Sequence, residues 1–222
     1  SLYVSRYNWI IRRYTFLMNK LTDFVRIYDN NLSAKFCGII INAFETDKEH
    51  HIKSTIGIPR TPDPEFRNAI EMNCTKRAAE SSEWAAIMDV LNKHAASSFK
   101  RYKNDLNVSG YPESHFFNTV TLEQWRMHRY DPGVHFYKEH IDAIDVHTSK
   151  RMLQMLYYLN TVEEGGETWF KSIDLKVNPV VGKLAITPSW FGYPHSAITP
   201  ISNTKYMIKT YLHYPGEING DN

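Results

Sequence analysis

The feature that most constrains the fold lies in the second half of the chain. Short apolar or alternating runs recur there with no helical pattern between them, and Pro-Gly, Gly-Gly and single prolines separate them. Short runs at close spacing between turn residues are typical of an antiparallel β sandwich or barrel. The runs are LEQWRMHRY, MLQMLYYLN, TWF, KLAITP and YMIKTYLHY.

The first half of the chain has a different pattern of apolar residues, which predicts helices. The segment FVRIYDN, with Phe24, Ile27 and Tyr28, suits a strand. Asn31 or Ser33 can then cap a helix. Apolar side chains recur at helical spacing in that helix, at Phe36, Ile39, Ile40 and Phe44.

The clearest helix is predicted over 82–104, with Ser82 as its cap. Its apolar stripe indicates a face buried in the core, and consists of Trp84, Ile87, Met88, Leu91, Ala95 and Phe99. Residues 46–76 are expected to form a loop with short strands. Helices followed by strands predict an α+β chain whose helices pack on one sheet of a β sandwich.

Composition excludes several classes of protein. The 222 residues are 42% hydrophobic and 23% charged, which is ordinary for a globular protein. The apolar runs are too short for a transmembrane helix, so no membrane partner is expected. Only two cysteines occur, Cys37 and Cys74, and we interpret them as reduced thiols in a cytoplasmic, reducing compartment.

Residues 1–17 are basic and contain no acid, whereas the remainder of the chain is nearly neutral. Nucleic acid is therefore not an expected partner. We interpret 1–17 as a non-native extension before a start at Met18. An ordered native extension and a basic import peptide are the alternatives. Residues 18–222 are predicted to form a single domain with its catalytic core at about 125–215.

The second half also carries a candidate metal site. His140 and Asp142 are two positions apart, so on an extended segment their side chains share a face. His195 lies 53 residues after Asp142, between two apolar runs. Two histidines and one carboxylate form the facial triad of non-haem Fe(II) oxygenases. A closed structural zinc site would need four ligands.

Lys205 lies ten residues after His195, at the start of an apolar strand. It is either an outward-facing strand lysine or a buried anchor for the carboxylate of an acid that chelates the metal. Three tyrosines near these segments could supply hydroxyl donors, namely Tyr130, Tyr137 and Tyr158.

The stretch from Tyr130 to Tyr214 resembles the Fe(II)- and 2-oxoglutarate-dependent oxygenases of the prolyl 4-hydroxylase type. The resemblance implies a double-stranded β-helix, or jelly roll, with N-terminal support helices. The matching pieces are RYDPG (129–133), HID (140–142), LYYLN (156–160), GGETWF (165–170), NPVVGKLAITPS (178–189) and PHSAITPISNTKYMIKTYL (194–212).

The resemblance also implies roles for individual residues. The iron ligands, and hence the catalytic residues, are His140, Asp142 and His195. Lys205 would pair with the distal carboxylate of 2-oxoglutarate. Tyr130 and Tyr158 would hydrogen-bond this co-substrate, and Tyr137 would be a pocket aromatic. Gly165 and Gly166 would form a turn, where glycine serves backbone geometry.

The remaining candidates keep two interpretations each. Trp190 and Tyr193 either line the mouth of the substrate pocket or close the barrel. His135, His147 and His213 are interpreted as surface or packing residues. By analogy, the segments 54–76 and 105–120 are candidate lids.

The expected function is hydroxylation of a prolyl residue in a peptide or protein. Its cofactors would be Fe(II), 2-oxoglutarate and O₂, with ascorbate as reductant. One alternative is the same chemistry on another amino-acid side chain or a small molecule. Another is a catalytically silent jelly roll that binds peptide.

Overall fold

The computed structural model describes residues 20–57, 60–116 and 119–215. The predicted extension at 1–17 lies outside these residues. The described helices are α1 (Ala34–Thr46), α2 (Cys74–Ala78) and α3 (Ser82–Val108), with short 3-10 turns at Leu21–Phe24, Lys48–His50, Glu113–His115 and Lys171–Ile173. None of these helices is apolar over a length that would cross a bilayer.

Serine side chains set the start of both long helices. The Ser33 hydroxyl accepts a hydrogen bond from the Phe36 amide at 3.2 Å, as one of the two predicted caps requires. The prediction of Ser82 as the cap of α3 was wrong by one residue. Ser81 is the cap, and its hydroxyl accepts a hydrogen bond from the Trp84 amide at 3.3 Å. Helix α3 also continues to Val108, four residues beyond the predicted end.

The described residues form thirteen strands. Some coincide with the predicted runs or with the predicted short strands in 46–76, and others lie between those runs. The strands are β1 (Arg26–Tyr28), β2 (Ile52–Lys53), β3 (Arg67–Asn68), β4 (Ile70–Asn73), β5 (Thr121–Leu122), β6 (Arg126–Tyr130), β7 (Phe136–His140), β8 (Arg151–Tyr158), β9 (Thr168–Phe170), β10 (Leu175–Val177), β11 (Leu184–Pro188), β12 (His195–Ala197) and β13 (Lys205–His213).

The strands form two antiparallel sheets. The larger has the order β1-β11-β8-β13-β6-β4-β2, with β5 also paired to β13. The smaller has the order β10-β9-β12-β7-β3. Strands that are distant in sequence are therefore neighbours in both sheets. The prediction of an α+β protein with a jelly-roll core and support helices is confirmed.

The core has two parts, one on each face of the larger sheet. The sequence of strand β8 is almost entirely apolar because its alternate side chains enter different clusters. Met155 and Tyr157 pack against α1 and α3, together with Trp84, whereas Leu156 and Tyr158 face the smaller sheet. The inner cluster, between the two sheets, surrounds the candidate site.

The two cysteines, Cys37 and Cys74, are free and buried. This agrees with their interpretation as reduced thiols.

Candidate metal centre and active site

The smaller sheet brings the two predicted histidine ligands together. His140 ends β7 and His195 begins β12, and the two residues are direct partners in the antiparallel register. Their ring centroids are 4.4 Å apart. Asp142 follows β7 by two residues. Its Oδ1 lies 3.8 Å from His140 Nε2, and its Oδ2 lies 3.6 Å from His195 Nε2.

Backbone carbonyls hold both imidazoles in the same tautomer. His140 Nδ1 lies 2.9 Å from the Lys138 carbonyl oxygen, and His195 Nδ1 lies 3.1 Å from that of Tyr193. An Nδ1–H that donates to a carbonyl leaves the Nε2 lone pair free for a metal. Burial, followed by the proximity of His195, holds the pKa of His140 well below its usual value, so this ring is neutral.

Side chains of the larger sheet hold the Asp142 carboxylate. The Tyr211 hydroxyl donates to Oδ1 at 2.6 Å, and the Gln154 amide donates to Oδ2 at 2.6 Å. Lys209 Nζ lies 3.9 Å from Oδ1. Burial alone would raise the pKa of Asp142, but Lys209 and the two imidazoles lower it well below its usual value. Asp142 is therefore an anion although it is buried.

This arrangement fits a divalent metal ion. One ligand atom from each of His140, Asp142 and His195 lies within 4.8 Å of the others. The Nε2 of His140 is buried and has no hydrogen-bond partner among the described residues. A buried polar atom of that kind needs an explanation, and a metal ion supplies one. Two nitrogens and one carboxylate leave room for further ligands, as in the Fe(II) facial triad.

A cavity adjoins the two histidines of this triad. Its polar walls include His128, Gln154, Thr168 and Lys209, and its apolar walls include Leu156 and Met207. The Tyr137 ring also lines the cavity and stacks on His140 with 3.5 Å between ring centroids. The predicted pocket aromatic therefore lies directly against the metal site.

Lys205 is buried rather than outward-facing. None of its surface is exposed, and its Nζ donates to the Gly166 carbonyl at 2.6 Å. No carboxylate forms an ion pair with it within the described part of the chain. Burial lowers its pKa to about 7. A buried ammonium group without a counterion is costly, which favours a site that receives an anion.

The two predicted co-substrate tyrosines flank Lys205. Its Nζ lies 5.3 Å from the centroid of the Tyr130 ring and 5.4 Å from that of the Tyr158 ring. Tyr130 lines the cavity. The Tyr158 hydroxyl instead donates to Thr168 Oγ1 at 2.8 Å, and it is Thr168 that lines the cavity.

Gly165 and Gly166 both have positive φ, of +73° and +77°. A Cβ atom on Gly165 would lie 2.5 Å from the Thr199 carbonyl oxygen. Their role in backbone geometry follows from both observations, because glycine alone adopts these angles without strain. The turn also supplies the carbonyl that receives Lys205.

The residues with two interpretations divide between surface and interior. Trp190 is 40% exposed and packs edge-on against Tyr193, which is buried and donates its hydroxyl to the Leu21 carbonyl. Neither residue borders the cavity beside the metal site. His147 is exposed. His135 and His213 are buried but bond to the Asp131 amide and Glu123 respectively.

Among the residues that the structure describes, one of the two candidate lids borders the site. Thr55, Ile56 and Arg60 line a cleft that reaches Asp142. In 105–120, by contrast, Phe116 packs edge-on against Tyr102 on the helical side of the larger sheet.

Sequence reasoning missed Gln154, Lys209 and Tyr211, which contact the site. A signal existed for two of them. Lys205, Lys209 and Tyr211 are separated by even numbers of residues on β13, so they share a face of the strand. A buried Lys205 therefore implies that Lys209 and Tyr211 also point between the sheets.

Comparisons with known proteins agree with this geometry. Residues 125–213 match the family model of the 2OG-Fe(II) oxygenase superfamily. This match confirms the resemblance drawn from the motifs. No curated protein matches the chain.

Solved structures share the fold at low sequence identity. A viral collagen prolyl hydroxylase from Paramecium Bursaria Chlorella virus-1, in its 2OG complex, is 20% identical with a TM-score of 0.61, covering 86% of this chain and 97% of that one. A Trichoplax adhaerens prolyl hydroxylase, in complex with a hypoxia inducible factor peptide fragment, is 17% identical with a TM-score of 0.63, covering 86% and 84%. A Pseudomonas putida prolyl-4-hydroxylase is 15% identical with a TM-score of 0.58, covering 86% and 92%.

Proposed function

We propose, from the premise that residues 125–213 form a 2OG-Fe(II) oxygenase region, that this protein is a dioxygenase that hydroxylates a prolyl residue in a peptide or protein. The reaction would consume 2-oxoglutarate and O₂ and release succinate and CO₂. The proposal depends on one observation. The ligand atoms of His140, Asp142 and His195 lie close together, and among the described residues the buried Nε2 of His140 has no hydrogen-bond partner.

His140, Asp142 and His195 would hold Fe(II). When bound, the metal supplies the redox chemistry that couples decarboxylation of 2-oxoglutarate to insertion of oxygen into a substrate C–H bond. The protein's part is to fix the ligands. Tyr211 and Gln154 orient the Asp142 carboxylate, and the two backbone carbonyls orient the imidazoles.

Lys205 would bind the distal carboxylate of 2-oxoglutarate. Its ammonium group has no counterion among the described residues, so an incoming carboxylate would neutralise it in a dry site. Tyr130 borders this position and would donate a hydrogen bond. Tyr158 would act through Thr168, whose hydroxyl borders the cavity.

Tyr137 would contact the substrate, because its ring lies between the cavity and a larger cleft that it also lines. Trp190 is proposed as an outer contact at the mouth of the pocket. The Trichoplax adhaerens structure contains a peptide, which supports a peptide substrate by analogy of fold. The buried, free cysteines agree with a reducing compartment.

The first test is succinate formation by purified protein supplied with Fe(II), 2-oxoglutarate and ascorbate. We expect turnover that EDTA abolishes and that His140→Ala abolishes, while the exposed His147→Ala retains it. Wild-type turnover in His140→Ala would remove His140 from the metal site. No succinate from protein that binds metal would favour the silent jelly roll.

The second test identifies the acceptor. Proline-containing peptides and small amino acids are incubated with the active enzyme, and mass spectrometry locates the added oxygen. Hydroxyproline in a peptide supports the proposal. An oxygen on another side chain, or on a small molecule only, favours the same chemistry on a different substrate.

A further inference from the structure

Three guanidinium groups share one buried carboxylate beside the site. Glu71, on β4, is fully buried. Arg60 and Arg67 lie 2.5 Å and 3.1 Å from its carboxylate oxygens, and Arg126 lies 3.4 Å away. Neighbouring His128 adds no charge, because burial and the nearby arginines hold its pKa well below the usual value. The cluster therefore carries two more positive charges than negative ones.

These three arginines line one wall of a cleft that leads to the metal site. The cleft has a volume of about 300 Å³, and Asp142 and Tyr137 lie in the same cleft. Arg151 and Lys209 add two further cations to its lining.

The other acidic residues in this cleft do not neutralise the arginine cluster. Glu123 is taken by Arg151 at 2.7 Å and by His213 at 2.8 Å. The Asp145 carboxylate accepts hydrogen bonds from Thr148. Asp142 belongs to the proposed metal site.

A second cleft continues the first. It has a volume of about 450 Å³ and shares Thr55, Arg60 and Arg126 with the first cleft, so the two form one groove. Lys76, Arg77 and Glu80 also line this second cleft, and Arg77 pairs with Glu80 at 3.3 Å, so these three side chains together carry one net positive charge. A groove with cations along its length suits an extended chain with several negative charges better than a small molecule with one.

Apolar groups border the same groove. Ile144 lines it and is 66% exposed, and Ile56 and Ile141 lie beside it. Neither Trp nor Phe lines the described part of the two clefts. The two tyrosine rings in the first cleft are already covered, Tyr137 by His140 and Arg67, and Tyr211 by Arg151 and Lys209. Little aromatic surface is therefore left to stack nucleic-acid bases. Aliphatic side chains between cationic ones can contact the apolar and acidic side chains of a bound polypeptide.

We propose that this groove, defined by Arg60, Arg67 and Arg126, binds an acidic polypeptide segment that flanks the residue to be oxidised. The inference rests on the proposed function for the statement that the bound polypeptide is oxidised. The binding of an acidic segment in the groove does not depend on that function. Glutamate or aspartate carboxylates on the substrate would face Arg60 and Arg126, the two arginines of the cluster that are most exposed.

The test compares fluorescent proline-containing peptides that differ only in the flanking residues, which are glutamate, glutamine or lysine. Fluorescence anisotropy measures peptide binding to the protein with Mn(II) in place of Fe(II). We expect the glutamate peptide to bind about fivefold or more tightly than the glutamine peptide, with a difference that shrinks as salt rises. The lysine peptide should bind most weakly.

Arg60→Gln tests the site directly. Glu71 keeps Arg67 and Arg126 as partners in this variant, so the core ion cluster survives. Affinity for the glutamate peptide should fall about two- to fivefold, with little change for the glutamine peptide. Arg101→Gln is the matched control, because Arg101 is exposed on α3, contacts Asp105 and the Tyr28 ring, and lines neither cleft. Circular dichroism verifies that both variants are folded.

Equal binding of the glutamate and glutamine peptides would overturn the proposal, as would unchanged affinity in Arg60→Gln. Displacement of the glutamate peptide by a single-stranded oligonucleotide at lower concentration would assign the groove to nucleic acid instead. Succinate formation without peptide reports separately on the proposed reaction. A protein that binds the acidic peptide but forms no succinate would keep this inference and lose the proposed function.

Discussion

At the scale of single residues, the protonation of Lys205 depends strongly on its surroundings. It is fully buried between two aromatic rings and bonds to a carbonyl rather than a carboxylate. Burial lowers its pKa to about 7, so its charge changes near neutral pH. The affinity for an anionic co-substrate should follow that charge.

We expect the KM for 2-oxoglutarate to rise with pH in the wild-type protein. Below about pH 7 the Lys205 amine is protonated and attracts the distal carboxylate, whereas above it the free protein loses the charge. The rise should approach about tenfold per pH unit above that point. Steady-state succinate formation between pH 6 and pH 9, in constant ionic strength, measures it.

Two variants of Lys205 separate charge from packing. Lys205→Ala should raise the KM for 2-oxoglutarate about 10- to 100-fold, because a charged hydrogen bond is lost in ground and transition states alike. Lys205→Arg should bind more weakly than wild type but show a flat pH profile, since arginine stays protonated. An unchanged KM in Lys205→Ala would place this lysine outside the co-substrate pocket.

The candidate metal ligands were accessible to sequence reasoning for two reasons. Alternation on an extended segment places His140 and Asp142 on one face, and the motif supplies His195. The groups that orient Asp142 were not accessible in the same way. Gln154 lies in an almost entirely apolar strand, and only the pairing of β8 with β13 and β11 shows which face it occupies.

At the scale of elements, β13 links the predicted co-substrate site to the metal site. Lys205 stands at its start, and Tyr211 stands further along on the same face and holds Asp142. Burial and the adjacent Asp142 raise the pKa of Tyr211 well above its usual value, so the phenol remains a hydrogen-bond donor.

Tyr211→Phe should weaken metal binding without removing it. The ring keeps its packing, but Asp142 Oδ1 loses the hydrogen bond at 2.6 Å. Loss of a partner of this kind lowers metal affinity by about 10-fold or more. Titration with Mn(II), followed by electron paramagnetic resonance, measures the change. Tyr214→Phe, in the half-exposed Tyr214 beyond β13, is the matched control. Identical Mn(II) affinity in Tyr211→Phe and wild type would contradict this role.

Helix α3 illustrates how far element boundaries can be predicted. The apolar stripe predicts both the presence of the helix and the face that it buries, and the residues of the stripe are buried as expected. Which of Ser81 and Ser82 is the cap depends on where the backbone changes from extended to helical angles. Two adjacent serines are equally suitable caps, so the sequence does not decide between them. The two-residue strands β2, β3 and β5 also lack a sequence signal, because only their partners in the sheets define them.

The two serines give an internal comparison. Ser81→Ala should destabilise the protein by about 1 kcal/mol, because the Trp84 amide loses its acceptor. Ser82→Ala should change stability by less, since alanine is a good helix former and no cap is lost. Urea unfolding followed by circular dichroism measures both. Equal effects of the two substitutions would show that the observed cap does not contribute.

At the scale of the whole molecule, the metal site joins the two sheets. His140 and His195 belong to the smaller sheet, whereas Gln154 and Tyr211, which hold Asp142, belong to the larger one. The arginine-lined groove begins at the same place, where β3 of the smaller sheet and β4 and β6 of the larger one supply Arg67, Glu71 and Arg126. A metal ion bound by the three side chains would therefore connect residues that both sheets hold in place.

Heat stability should depend on the metal for this reason. A ligand that binds only the folded state, at about 100 times its Kd, adds about 2.7 kcal/mol of stability. For a chain of this size that corresponds to a rise in Tm of about 5–10 °C. Calorimetry with Mn(II), repeated after EDTA, measures the shift, and Asp142→Ala should show none while remaining folded. If Mn(II) raises the Tm of Asp142→Ala as much as that of the wild type, the stabilising ion binds elsewhere and the three side chains do not form the metal site.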